Sequence, residues 1–230
     1  MQSNLKPVLN IFFMHGIHAS KIKNIIFDLG GVLLNINPLL SLLELEKISG
    51  ISKDELLVKL ASEEIFKKFE TGSLNPALFR RDLCRIMNTE VSDSEIDRIW
   101  NKLILDIPAH RVKMLREIRK NYKVFMLSNT NSIHFDHYTR EFAEIYGSNF
   151  ADLFDQVFVS HEIGIHKPDS GIYTHVLQNA NIEATESVFI DDSLANIEAA
   201  ALQGIRGIHI NGEDVTTYFE NGILREDSYK

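Results

Sequence analysis

The stretch Asn24-Ile25-Ile26-Phe27-Asp28-Leu29-Gly30-Gly31-Val32 decides the fold. Its apolar run ends in one carboxylate, Asp28, and then turns through two glycines. A short run that is apolar at every position reads as a strand covered on both faces, as parallel strands in α/β proteins are. Open α/β sheets bind their ligands beyond the carboxyl ends of such strands, so Asp28 stands in a functional position.

Working outward, Lys123-Val124-Phe125-Met126-Leu127 and Val188-Phe189-Ile190 are comparable strands, and residues 156–159 and 207–210 are weaker ones. Helical spacing over about 109–121, 170–179 and 194–203 alternates with them, the last helix stopping at Gly204. This alternation predicts an α/β fold with a doubly wound, Rossmann-like parallel sheet. Residues 39–48, 54–61, 64–69, 76–87 and 93–105 differ: they carry i, i+3, i+4 apolar spacing and no strand signal. The expected organisation is an α/β core of residues 1–36 and 107–230 with an inserted α-helical cap of residues 37–106. Hinges are expected at Asn35–Pro38 and Ile107-Pro108, and the polar tail from about Asn221 reads as a fraying end.

With 230 residues, 44% apolar and 24% charged, the chain can bury a real core. A net charge of -8 argues against a nucleic-acid partner or an anionic membrane. Cys84 is the one cysteine, which excludes an internal disulfide and a cysteine zinc site; its amphipathic setting reads as a buried structural thiol. No apolar run reaches membrane-spanning length. Residues 8–14 are hydrophobic but lack the flanks of a signal peptide, and Met14 offers an alternative start, so the cytoplasm is the expected compartment.

Four strand ends carry polar chemistry: Asp28, then Ser128-Asn129-Thr130-Asn131, then the Gly164-Ile165-His166-Lys167-Pro168 segment, then Asp191-Asp192-Ser193. Taken singly, each has an ordinary reading as a turn former, helix start or surface charge. Together, each at the mouth of an apolar strand, they form a set suited to phosphoryl chemistry. Asp28, Asp191 and Asp192 cannot all stay ionised in a dry cleft without a divalent cation. All-oxygen ligation points to Mg²⁺, which takes one or two carboxylates and a substrate phosphate oxygen. Ser128, nearby backbone N–H groups and Lys167 would hold the remaining phosphate oxygens, leaving Asp28 to attack in line.

The motifs Asp28-Leu29-Gly30-Gly31-Val32, Leu127-Ser128-Asn129-Thr130-Asn131, Lys167-Pro168-Asp169-Ser170-Gly171-Ile172-Tyr173 and Phe189-Ile190-Asp191-Asp192-Ser193 resemble the haloacid dehalogenase-like superfamily. The likeness spans residues 22–210 and is to the branch with a helical cap after the first motif. It is closest to the α-D-glucose-1-phosphate phosphatase type, with a more distant likeness to the phosphatase domain of mammalian soluble epoxide hydrolase. The resemblance implies that Asp28 is the nucleophile and a Mg²⁺ ligand, with the Gly30 carbonyl a second ligand. It implies that Asp192 ligates directly while Asp191 acts on a metal-bound water, that Ser128 and Asn129 bind phosphate, and that Lys167 neutralises it and orients Asp28. The expected function is a Mg²⁺-dependent phosphatase for a small phosphorylated metabolite, a sugar phosphate being the favoured class. The alternatives are a phosphotransferase or mutase, or a non-catalytic phosphometabolite-binding protein.

One position breaks the pattern. Much of the superfamily has an acid/base aspartate where this chain has Gly30, and such proton transfer contributes about 10²–10⁴-fold. A sugar 1-phosphate, with its less basic leaving oxygen, would need it less. His134 and Glu70 are the candidate substitutes; the ordinary readings are a helix-start or surface histidine and a solvated turn carboxylate. His161 and His166 are five apart with a glycine between, so they do not form a zinc helix, and the segment reads as a loop leading to Lys167. The paired aspartates favour phosphoryl transfer over metal-free dehalogenation.

Overall fold

The computed structural model describes residues 21–229; the readings of residues 8–14 and of Met14 lie outside the described residues. Strands β1 (Asn24–Phe27), β2 (Lys123–Ser128), β3 (Gln156–Val159), β4 (Ser187–Asp191) and β5 (Arg206–His209) form one parallel sheet in the order β3-β2-β1-β4-β5. The chain runs from β1 outward to β3 on one side, then crosses to β4 and β5 on the other. The order reverses between β1 and β4, so Asp28 and Asp191 flank the switch point where such sheets bind ligands.

The segment after β1 folds into α1 (Pro38–Ser49), α2 (Lys53–Ser62), α3 (Ile65–Glu70), α4 (Pro76–Met87) and α5 (Asp93–Trp100). Asn37, Ser52, Asn75 and Ser92 cap four of these by accepting a backbone N–H, and Pro38 and Pro76 take first-turn positions that lack a partner anyway. Their apolar faces meet in a core of their own around Leu56, Leu60, Phe69, Phe79 and Leu83, with Phe69 stacked on Phe79 at 4.1 Å. Cys84 is half-buried against this core, not fully buried as expected.

The expected helix to residue 105 stops at Trp100 because the chain is needed elsewhere. Residues 103–106 run antiparallel to residues 35–37: Asn37 N–H donates to Leu103 O (2.7 Å), Leu105 N–H to Asn35 O (3.0 Å) and Asn35 N–H to Asp106 O (2.8 Å). The two crossings are thus one hydrogen-bonded ribbon, and the second expected hinge, at Ile107-Pro108, lies just past it.

Alternation along the strands splits the remaining core. Ile25, Phe27, Val124, Met126, Val188 and Ile190 face α6 (Ala109–Ile118) and α7 (Ser132–Tyr146). Ile26, Phe125, Leu127 and Phe189 face α9 (Ser170–Ala180) and α10 (Leu194–Ala201). The sequence reading assigned no helix over α7 beyond a helix start at His134, which the structure places in its first turn. The helix is started by Asn131, whose side chain accepts the His134 N–H, and it buries Ile133, Tyr138 and Phe142. The turn α8 (Ser160–Ile163) opens the segment read as a loop. The tail does not fray at Asn221: β6 (Phe219–Glu220) and β7 (Ile223–Leu224) form a hairpin around Asn221-Gly222, both at positive φ, and Leu224 is buried.

Candidate active site

Lys167 is the centre of the site. Its ammonium donates to Asp28 Oδ1 (2.7 Å), Asp191 Oδ2 (2.7 Å) and Leu127 O (2.9 Å), and sits 5.2 Å from the Phe189 ring centre. Three strand ends and the loop after α8 are thereby tied at one buried point. Burial alone would push the Lys167 ammonium down, but the two carboxylates outweigh it and hold it above its ordinary value. Burial raises Asp28 to about 6, against the pull of Lys167 and with help from the Asp191 charge. Asp192 is raised too, by burial and then by Asp191.

Asp28, Asp191 and Asp192 each offer an oxygen, and these lie within 4.8 Å of one another. With Lys167 the fully ionised group carries two net negative charges, which a divalent cation cancels; the all-oxygen donor set therefore fits one. Gly31 makes this possible. Its φ is +76°, and a Cβ there would run into Asp192 Oδ2. Asp191 is committed on both oxygens, to Lys167, to the Ser193 N–H (2.8 Å) and to the Asn196 amide (3.0 and 3.1 Å).

Of the expected phosphate ligands, Ser128 is buried and its hydroxyl makes only a 3.5 Å contact with Asn129 O. The Asn129 side chain is spent on the Lys167 loop. Its carbonyl accepts the Lys167 N–H (2.8 Å), and its amide donates to Lys167 O (3.0 Å) and to His166 Nδ1 (3.1 Å). What Asn129 has left for phosphate is its backbone N–H.

Ser128, Asn129 and Gly30 border a cavity of about 210 Å³, whose other walls come from α1, α3, α7 and the ribbon. A Cβ on Gly30 would meet only Ile36 Cδ1, at 3.2 Å, so the backbone there admits a side chain and Ile36 fills the space. Glu70 lines the cavity and is not a free surface carboxylate: Oε2 accepts from His166 Nε2 at 2.7 Å. With the Asn129 amide on Nδ1, the ring hydrogen of His166 belongs on Nε2. His134 is buried, not a surface residue. Its Nδ1 accepts from the Asn131 amide (3.1 Å), its Nε2 donates to Trp100 O (3.1 Å), and its ring stacks on Trp100. Burial holds it down at about 4. Neither ring nitrogen has a lone pair to offer, so the geometry speaks against a proton-carrying role.

A family model described as haloacid dehalogenase-like hydrolase matches residues 22–204. The chain belongs to the haloacid dehalogenase-like hydrolases. It is 27% identical to a D-ribitol-5-phosphate phosphatase of Bacteroides thetaiotaomicron, over 76% of this chain and 85% of that one. It is 31% identical to a sesquiterpene phosphatase of Aspergillus oryzae, over 82% of this chain and 89% of that one. Its fold matches a Bacteroides thetaiotaomicron family enzyme crystallised with magnesium and inorganic phosphate, with a TM-score of 0.81 at 34% identity over 86% of this chain and all of that one. The finer likeness to the glucose-1-phosphate phosphatase type rests on the motifs alone.

In this hydrolase the structure brings Asp28, Lys167, Asp191 and Asp192 to one point, with Gly30, Ser128 and Asn129 on the wall of the neighbouring cavity. It adds Asn196, which holds Asp191, and Ser160, whose hydroxyl accepts the Thr130 N–H and donates to Thr130 O. Asn196 lies five residues past Asp191, a spacing visible in the sequence; Ser160 carried no signal. Among the described residues no helix is long and apolar enough to cross a membrane.

Proposed function

We propose that the protein is a Mg²⁺-dependent phosphatase that hydrolyses a small phosphorylated metabolite, of the sugar or polyol phosphate class, through an aspartyl-phosphate on Asp28. The observation that carries this is the buried bridge of Lys167 between Asp28 and Asp191, beside a third carboxylate with room for a cation. The relatives named as phosphatases and the neighbour holding magnesium and phosphate support it.

Asp28, Asp192 and the Gly30 carbonyl would hold Mg²⁺ directly, with Asp191 acting through water. When bound, Mg²⁺ offsets the carboxylate charge and draws electron density from the phosphoryl group. Lys167, fixed on Asp28 Oδ1, sets the carboxylate plane so that Asp28 attacks phosphorus in line. The Asp28 O–P bond forms as the bond to the leaving oxygen breaks. Water then attacks phosphorus, releasing phosphate and restoring Asp28. Ser128 and the backbone N–H of Asn129 bind the phosphoryl oxygens. Glu70 is the carboxylate available on the cavity wall to give a proton to the leaving oxygen and later take one from water. Residues 37–106 act as a cap that shuts the cavity from bulk water, with the 35–37 and 103–106 ribbon as its hinge. A single cysteine supports a cytoplasmic setting.

The test is p-nitrophenyl phosphate turnover with Mg²⁺, with chelator, and in Asp28→Asn. Activity that needs both Mg²⁺ and Asp28 is expected. Turnover that survives chelation or the Asn substitution would sink the proposal.

A further inference from the structure

Glu70 ends α3, on the cap, and its backbone is set by its neighbours. Phe69 before it is buried in the cap core and stacked on Phe79, and the turn after it rests on α8 of the core. That second contact is tight: Gly72 has a φ of +68°, and a Cβ there would run into His161 O. The side chain is a separate matter. A free glutamate explores many rotamers, and fixing one costs conformational entropy that a partner has to offset. Here the partner is His166, whose Nε2 donates to Oε2 at 2.7 Å. Glu70 Oε1 makes no hydrogen bond among the described residues. The side chain lines the cavity and is 26% exposed, so this oxygen is open to a bound leaving group.

His166 is itself held from behind. The Asn129 amide donates to its Nδ1 (3.1 Å), while the same Asn129 side chain exchanges two bonds with the Lys167 backbone (2.8 and 3.0 Å). One ring nitrogen is therefore fixed to the segment after β2, where Ser128 and Asn129 stand, and the other to the cap. Three segments distant in the chain meet through one imidazole. With both nitrogens engaged, the ring reaches the chemistry through Glu70.

We infer that His166 is a positioning residue for proton transfer: it locks Glu70 Oε2 so that Oε1 faces the leaving oxygen, and it does so only while the cap is shut. The inference rests on the reading of Glu70 as the proton carrier. In the first step the Glu70 Oε1–H bond breaks as the O–H bond of the leaving alcohol forms, and the charge left on Glu70 meets an N–H donor already in place. In the second, Oε1 takes a proton from the attacking water, which returns Glu70 to its starting form. Glu70 and His166 lie on opposite sides of the cap boundary, so opening the cap about the 35–37 and 103–106 ribbon parts them. Closure thus assembles the acid/base group as well as excluding water.

The experiment compares p-nitrophenyl phosphate with phenyl phosphate, whose more basic leaving oxygen gains more from a proton, on the Mg²⁺-loaded full chain. The readout is kcat/KM, which covers the steps through departure of the leaving group. His166→Gln keeps an N–H donor at the reach of Nε2, whereas His166→Asn is shorter and reaches only toward Asn129. In His166→Asn, kcat/KM for phenyl phosphate should fall roughly tenfold or more and that for p-nitrophenyl phosphate less than about threefold. His166→Gln should keep the wild-type ratio of the two. Adding His166→Asn to Glu70→Gln should change the ratio no further, since both remove the same proton transfer. A parallel fall on the two substrates, equal ratios in the Asn and Gln variants, or effects on the ratio that add to those of Glu70→Gln would overturn the assignment. An unchanged ratio in Glu70→Gln alone would remove Glu70 as the proton carrier and this inference with it. Turnover that survives chelation or Asp28→Asn would strike the phosphatase reading instead.

Discussion

Gly31 stands against the Asp192 carboxylate with no room between them for even a methyl group. The second glycine of the opening motif therefore borders the carboxylates of the proposed metal site, although it carries no side chain. Gly31→Ala adds a Cβ at a φ of +76° and pushes Asp192 away from Asp28. The expected cost is about 1–2 kcal/mol of stability from the backbone alone. Mg²⁺-dependent turnover should fall far more than this stability change explains. Thermal melts with and without Mg²⁺ check it, the variant losing most of the Mg²⁺-induced rise in Tm.

Protons and the cation compete for the same carboxylates. Asp28 is raised to about 6 and Asp192 is raised as well, so the folded protein holds these protons more tightly than the unfolded chain does. Without metal, ionising Asp28 costs stability as pH rises from about 4, its unfolded value, through about 6. Mg²⁺ offsets that cost by binding the ionised form. The Mg²⁺-induced rise in Tm should therefore be small at pH 5 and grow toward pH 7.5; a rise independent of pH would contradict the assignment of Asp28 as a ligand.

His134 bridges α7 to the end of α5 through Trp100 O. His134→Ala removes that bond, leaves the Asn131 amide without its acceptor and opens a void beside Trp100. A loss of about 1–3 kcal/mol is expected. Its folded value of about 4 lies below the ordinary 6.5, so its contribution is present above pH 6.5 and lost as pH falls toward 4. The pH profile of kcat should keep its midpoints in the variant. A shifted limb would restore His134 as a proton carrier.

Position 30 can be refilled. Its backbone suits an ordinary residue and only the flexible end of Ile36 stands in the way. Gly30→Asp should fold, and should raise turnover of alkyl phosphates relative to p-nitrophenyl phosphate, since the poorer leaving group gains more from a general acid. A tenfold rise in that ratio is a modest part of the 10²–10⁴ that acid/base catalysis typically contributes. An unchanged ratio would mean that Glu70 already supplies the proton.

Particular residues show how far the sequence could be read. Strand ends at Asp28, Ser128 and Asp191 were legible because a fully covered parallel strand must be apolar throughout, so the first polar residue marks its mouth. The α7 helix was hidden because His134 occupies a buried place among Ile133, Tyr138 and Phe142 and breaks the apolar pattern. The hairpin at Asn221-Gly222 was marked by a strong turn pair, but its strands are two residues each, too short for alternation to show.

The sequence by itself determined the fold class, the helical insert and the inventory of carboxylates, lysine and hydroxyl for phosphoryl chemistry. These follow from local periodicity and from polar residues at strand ends. Tertiary structure alone decided which polar groups are free to act. Asn129 is bound to a loop 38 residues away, His134 to a carbonyl 34 residues away and Glu70 to a histidine 96 residues away, while the Tyr138 hydroxyl is left without a partner. A hydrogen-bond partner that distant leaves no mark in the spacing of either residue. The difference between a ligand and a brace is set by packing.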